Sequence, residues 1–159
     1  MQLSGRTVTV MVVAMAAILV GYTIYSSSSV PGCATGHIPA SFTVDGKAFQ
    51  FTYTATCQPG RETGLMNRRV SNSTTMLFAF PSFGQWSFWM YDTNTSLDMI
   101  WVNGTSGRVV YLVTSAQPCY DSGACAVYTP TAAADYVIEA RAGFAYTYGI
   151  HVGTAIELG

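Results

Sequence analysis

The sequence predicts a mostly β protein of the α+β class: an antiparallel domain, closed or nearly so, with short peripheral helices and one transmembrane helix before it. Three observations carry this. Short runs rich in Phe, Tyr, Val and Thr alternate apolar and polar residues from Phe42 onward, separated by clusters of Gly, Pro, Asn and Asp. A charge-free apolar segment precedes all of them. Four cysteines lie after that segment and none before it.

From Thr7 to Ile24 the chain carries no charge, and a helix over these 18 residues spans about 27 Å, close to the hydrocarbon thickness of a bilayer. Arg6 stands just before it and no acidic residue appears until Asp45, which puts the N-terminus in the cytoplasm and the rest outside. Residues 1–25 therefore read as a retained anchor. The alternative is a cleaved signal peptide cut within Ser26–Ser29, although such segments are usually shorter and no clear Ala-x-Ala follows. Residues 26–38 read as a tether and residues 39–159 as the β domain.

Within the domain, Phe42 and Val44, an Asp45-Gly46 turn, and then Phe49, Phe51, Tyr53 and Ala55 predict a β-hairpin, because Asp-Gly supplies the positive φ of a tight turn. Pro59 and Gly60 are expected to end it. A short helix is expected over Arg61–Arg69. Strands follow at Met76–Phe80, Trp86–Tyr91, Leu97–Val102 and Arg108–Thr114, with turns at Pro81–Gly84, Asp92–Ser96 and Asn103–Gly107. Ser115–Ala133 reads as a long loop, and loops of that length are commonly functional or stapled. A strand at Asp135–Ala140, a short helix at Ala142–Tyr148 and a closing strand at His151–Leu158 complete the chain.

Composition narrows the function classes. Of 159 residues, 50% are hydrophobic and 13% aromatic, enough for a substantial core. Only 9% are charged, well below the usual quarter, so the surface must be built from Ser, Thr, Asn, Gly and Tyr. A net charge of -1 and a single lysine, Lys47, leave no electrostatic footprint for nucleic acid.

The cysteines allow three pairings. Cys33 with Cys57 and Cys119 with Cys125 is the expected one, since the latter pair bounds a short Tyr-Asp-Ser-Gly-Ala turn and the former pins the start of the domain. A metal site would call for CxxC pairs or convergent histidines, and the two histidines are His37 and His151. No metal and no cofactor are expected.

The succession of GLM before Arg68, the FWM of Phe88–Met90, the LD of Leu97–Asp98, the cysteine loop and the AGF around Gly143 resembles the domain-of-unknown-function family DUF192. The resemblance covers about two thirds of the chain. It implies a small β-barrel with peripheral helices, often behind a signal or anchor, and no assigned activity. Tyr91 and Asp92 stand where the family usually has lysine and asparagine, Ser96 where it often has proline, and Thr154 where an acidic residue often closes the last turn.

Polar residues in apolar surroundings are the candidate site. Arg68 and Asp98 are expected as a bidentate pair fixing helix to sheet, with a ligand-facing role as the alternative. Trp89 and Met90 alternate between surface and core or line a pocket. Asp92 and Asp98 lie across a turn, which does not favour a glycosidase-like carboxylate pair. Tyr120, Asp121 and Tyr128 sit on the stapled loop as a candidate contact surface. Asn72, Asn94 and Asn103 each open an Asn-x-Ser/Thr triplet at a turn or strand edge and are candidate glycosylation acceptors.

No GxSxG, HExxH or phosphate-binding glycine loop is present in the sequence, which favours a non-catalytic role over that of a small hydrolase. The leading expectation is an accessory subunit of a membrane or cell-envelope assembly, because Ala14, Ala16, Ala17 and Gly21 permit close helix packing on protein partners. The alternative is an extracellular module that captures a small molecule or glycan through Arg68, Trp89, Asp92, Asp98 and Tyr128.

Overall fold

A computed structural model of the chain describes residues 32–159. The expected anchor and the first part of the tether lie outside the described residues. Among those described, no helix is long and apolar enough to cross a membrane.

Asp45 and Gly46 both adopt positive φ, 49° and 71°, as the Asp-Gly signal requires, and they join β1 (Ser41–Val44) to β2 (Lys47–Gln50). The expected continuation of this hairpin to Ala55 is broken. The chain leaves β2 at Gln50 and re-enters as β3 (Tyr53–Ala55), which lies parallel to β4 (Thr75–Gly84) in a different sheet. Between them α1 (Gln58–Thr63) begins earlier than the sequence suggested. Pro59 does not stop the chain but occupies the first turn, where a missing N–H costs nothing. Gly64, at φ 48°, ends the helix.

The central sheet has the order β3-β4-β9-β6-β7, with β6 (Leu97–Asn103), β7 (Arg108–Ala116) and β9 (Ala134–Arg141). Every pair in it except β3-β4 is antiparallel. β10 (Glu157–Leu158) joins β1 and β2 in a three-stranded sheet, and β5 (Phe88–Trp89) pairs with β8 (Val127–Tyr128). The expected barrel is not closed. β3 and β7 end the central sheet on opposite sides, and β7 is bordered instead by the C-terminal segment, through Val109 N–H to the Thr154 carbonyl (2.9 Å) and Ile156 N–H to the Gly107 carbonyl (2.7 Å). The closing strand expected over His151–Leu158 shortens to β10 accordingly.

Strand alternation gives the central sheet two buried faces. Leu77, Ile100, Val102, Ile138 and Ala140 pack against Phe42, Val44, Ile156 and α2 (Phe144–Thr147). On the other face Met76, Phe78, Met99, Trp101 and Val137 pack under Leu65, Met90 and the half-buried Phe88 and Tyr128. Both disulfides form as expected, Cys33–Cys57 and Cys119–Cys125, with Cα separations of 4.1 and 5.6 Å. The first ties the start of the described chain to the residue before α1. The second staples the loop that carries β8 against β5.

Candidate functional site

The second face of the sheet is incompletely filled. A cavity of about 500 Å³ opens between α1 with the turn after it (Arg61 to Met66), the end of β4 (Phe78, Phe80), and the segment Trp86–Trp89. Its walls are aromatic. Phe80 and Trp86 stack at 4.3 Å between ring centroids, and Phe88 stands edge-on to Phe78 at 4.8 Å and to Trp101 at 5.5 Å. The Trp101 indole N–H, itself fully buried, donates to the Trp86 carbonyl at 2.9 Å and holds that segment over the sheet.

Most polar side chains on the walls are already engaged. Arg61 donates to the carbonyls of Thr56 (2.6 Å), Ala79 (3.1 Å) and Gly32 (2.6 Å), and its guanidinium lies over the Phe80 ring. Desolvation lowers its pKa, and the neighbouring Glu62 partly offsets that. Gln58 donates to Glu62 at 2.8 Å, and the hydroxyls of Thr63, Ser87 and Thr93 are each hydrogen-bonded within the protein.

Glu139 is different. It sits mid-strand in β9, between Met76 of β4 and Met99 of β6, and only 4% of it is exposed. Among the described residues no hydrogen bond is made to its carboxyl group, whose oxygens are not sealed from solvent but open on the cavity it lines. Burial alone pushes its pKa up from 4.5 to about 8. At neutral pH the floor of the cavity is therefore a carboxylic acid, able to donate a hydrogen bond or to ionise when a positive charge arrives.

Of the sequence-derived site residues, Trp89 alone lines this cavity, 41% exposed at its rim. Arg68 and Asp98 do not pair. The Arg68 guanidinium lies over the Tyr53 ring at 4.3 Å, and its Nε donates to the Gly64 carbonyl at 3.1 Å. Asp98 is fully buried on the opposite face, where its carboxylate accepts the backbone N–H groups of Ser115 (2.9 Å), Gly143 (3.0 Å) and Ala145 (2.9 Å). It thus caps α2 from a distant strand and fixes the kink at Ser115, whose φ is 54°.

Asp92 is a turn residue at φ 50°, whose backbone bridges Asn67 and Cys119. Tyr128 pairs with Phe88 across β5-β8 and packs on the second core. On the cysteine loop, Tyr120 is exposed and the Asp121 carboxylate accepts the Gly123 N–H. Asn72 and Asn94 lie at exposed turns, and the Asn103 side chain accepts the Ser106 N–H at 2.9 Å. No group of His, Cys, Asp and Glu able to hold a metal occurs among the described residues.

Glu139 and the Phe78–Phe80–Trp86–Phe88 wall escaped the sequence reading. Alternation places Glu139 with Asp135, Val137 and Arg141 on what looks like a solvent face. Its signal was a lone acid in the run Val-Ile-Glu-Ala. The folding of α1 and β5 over that face, which alternation does not encode, is what buries it.

Two solved structures share the fold. A putative transcription regulator from Sinorhizobium meliloti 1021 is 25% identical, with a TM-score of 0.63 over 77% of this chain and 97% of that one. A protein of unknown function from Novosphingobium aromaticivorans DSM 12444 is 24% identical, with a TM-score of 0.64 over 81% of this chain and 94% of that one. No curated protein matches. Residues 40–158 match the profile of DUF192, described as "Uncharacterized ACR", and the chain belongs to that family.

Proposed function

We propose that the domain is a non-catalytic binding module, exposed outside the cytoplasm, that captures a small molecule in the aromatic cavity over Glu139. The observation that carries this reading is a buried carboxyl with no protein partner among the described residues, on the floor of a cavity walled by four aromatic rings. Burial desolvates this carboxyl and raises its pKa, and a bound ligand that supplies a partner offsets that cost. Cavities of this size with flat apolar walls and few polar groups are typical small-molecule sites. The two disulfides support an oxidising compartment, and the apolar segment Thr7–Ile24 supports a tether to the membrane.

The test is a thermal-shift screen of the full-length protein in an uncharged detergent. Ligands that raise Tm in the wild type should lose their effect in Phe88→Ala and keep it in Tyr146→Ala, a change at an exposed site away from the cavity. Hits indifferent to Phe88 count against the cavity.

A second reading, an accessory subunit docked to a membrane or envelope assembly, is favoured by one surface feature. Trp89 and Val127 are cross-strand partners, 41% and 63% exposed, and present an apolar pair beside the cavity mouth. Stoichiometric partners that co-purify with the wild type and are lost on Val127→Ser support it; their retention removes its structural support.

A further inference from the structure

We propose that the ligand of this cavity is a small organic cation, an alkylated ammonium group held against the aromatic wall with Glu139 as its counter-ion. This deepens the binding reading and rests on it. The walls are aromatic and one of their rings, Phe80, already carries a cation, the Arg61 guanidinium; ring quadrupoles attract a desolvated cation. Beyond that, two carboxyl groups on the walls keep uncommitted acceptor oxygens. Glu139 has no partner among the described residues, and Glu62 is held only by Gln58 through one oxygen. The hydroxyls of Thr63, Ser87 and Thr93 are each engaged in a protein hydrogen bond, which leaves few hydroxyl donors for a sugar.

Charge balance points the same way. Arg61 and Glu62 of α1 are the other charged groups facing the cavity, and they offset each other. β4 and β6 turn Met76, Phe78, Met99 and Trp101 toward this face, and the 86–89 segment contributes Trp86 and Phe88, none of them ionisable. Arg68 lies two strands away, over Tyr53, and Arg141, on Glu139's own face of β9, is exposed and does not line the cavity. Ionising Glu139 therefore leaves one uncompensated negative charge at the cavity floor. A permanent cation fills that vacancy, whereas an anion meets the carboxyls and an arginine three of whose five N–H groups are already given to carbonyls.

The experiment measures binding to the full-length protein by calorimetry in an uncharged detergent and amine-free buffers. The probes are choline, its uncharged carbon isostere 3,3-dimethylbutan-1-ol, and glycerophosphocholine. Because choline does not titrate, its apparent affinity follows the ionised fraction of Glu139 and should rise about thirtyfold from pH 6.5 to pH 9 for a group titrating at about 8. The isostere should show no rise. Glu139→Gln should weaken choline about tenfold or more at pH 9 and change the isostere by less than about twofold.

Should that variant fail to fold, the wild-type pH profile still decides. Glycerophosphocholine binding with choline's profile assigns a lipid headgroup as the source, and its failure beside choline assigns a free ammonium compound. Equal affinity for choline and its isostere, or a flat pH profile, overturns the cation assignment and leaves the cavity as a site for neutral molecules. Binding of neither probe also overturns it. The binding reading itself goes only if the thermal-shift screen yields no ligand dependent on Phe88.

Discussion

Glu139→Gln should make the protein more stable at alkaline pH, because the wild-type carboxyl must ionise in a place that resists it. The folded state holds this proton to about pH 8, whereas the group's ordinary value is 4.5. Between those values the folded state binds more protons than the unfolded one, so stability falls as pH rises. The contribution is fully present below about pH 4.5 and is lost as pH climbs through about 8. At full development the difference corresponds to about 5 kcal/mol, of which about 4 accrues between pH 5 and pH 9.

Glutamine has nearly the same shape and never ionises, so it removes this slope without opening a hole. Urea unfolding of both proteins at a series of pH values, with disulfides intact, isolates the effect, because every other titrating group cancels in the difference. The variant's advantage should grow by up to about 4 kcal/mol from pH 5 to pH 9, less if water in the cavity solvates the carboxylate. A difference that stays flat across this range would falsify the idea that Glu139 is protonated at neutral pH, and would mean that its carboxylate already has a partner.

Three other perturbations follow from the geometry. Asp98→Asn keeps the shape but turns an amide toward at least one of three backbone N–H donors, and should cost about 2–4 kcal/mol in thermal unfolding while leaving cavity ligands bound to whatever remains folded. A direct loss of affinity at temperatures where the variant is fully folded would restore Asp98 to the site. Gly64→Ala forces a side chain onto φ 48° with its Cβ 3.3 Å from the Phe78 ring, and should cost about 1–3 kcal/mol and weaken cavity binding. An unchanged Tm and affinity would contradict this packing. Replacing Cys119 and Cys125 together by serine should lower stability by about 2 kcal/mol in the chain-entropy account, and calorimetry should show Tm falling without loss of the central sheet's circular dichroism.

The parts of the fold visible in the sequence are those governed by neighbours along the chain. The Asp45-Gly46 turn needs two positive φ angles, and only such residues supply them cheaply, so the first hairpin could be placed to within a residue at its turn. β6, β7 and β9 are runs rich in β-branched, aromatic and other apolar residues, and each appears within about two residues of its expected bounds. The failures lie where the chain changes sheet. Phe49 to Ala55 alternates without interruption, yet Phe51 and Thr52 turn a corner, and local pattern holds no record of which sheet receives Tyr53. Closure into a barrel was an expectation about edges, and edges are decided by partners distant in sequence.

The same distinction explains why the sequence does not separate Asp98 from Glu139. Asp98 and Glu139 are both acids in apolar strands, and the sequence marks them equally. Register puts them on adjacent strands, with Asp98 opposite Ala140 and Met99 opposite Glu139, so their side chains leave the sheet on opposite faces. One face brings Asp98 under the start of α2, where three backbone N–H groups converge and consume the charge in fixing the fold. The other face brings Glu139 under aromatic rings that offer it no hydrogen-bond donor. An acid satisfied by backbone is spent on structure. An acid left without a donor inside an accessible cavity retains its capacity for a ligand, and for that reason Glu139 is a stronger candidate for a ligand site than Asp98.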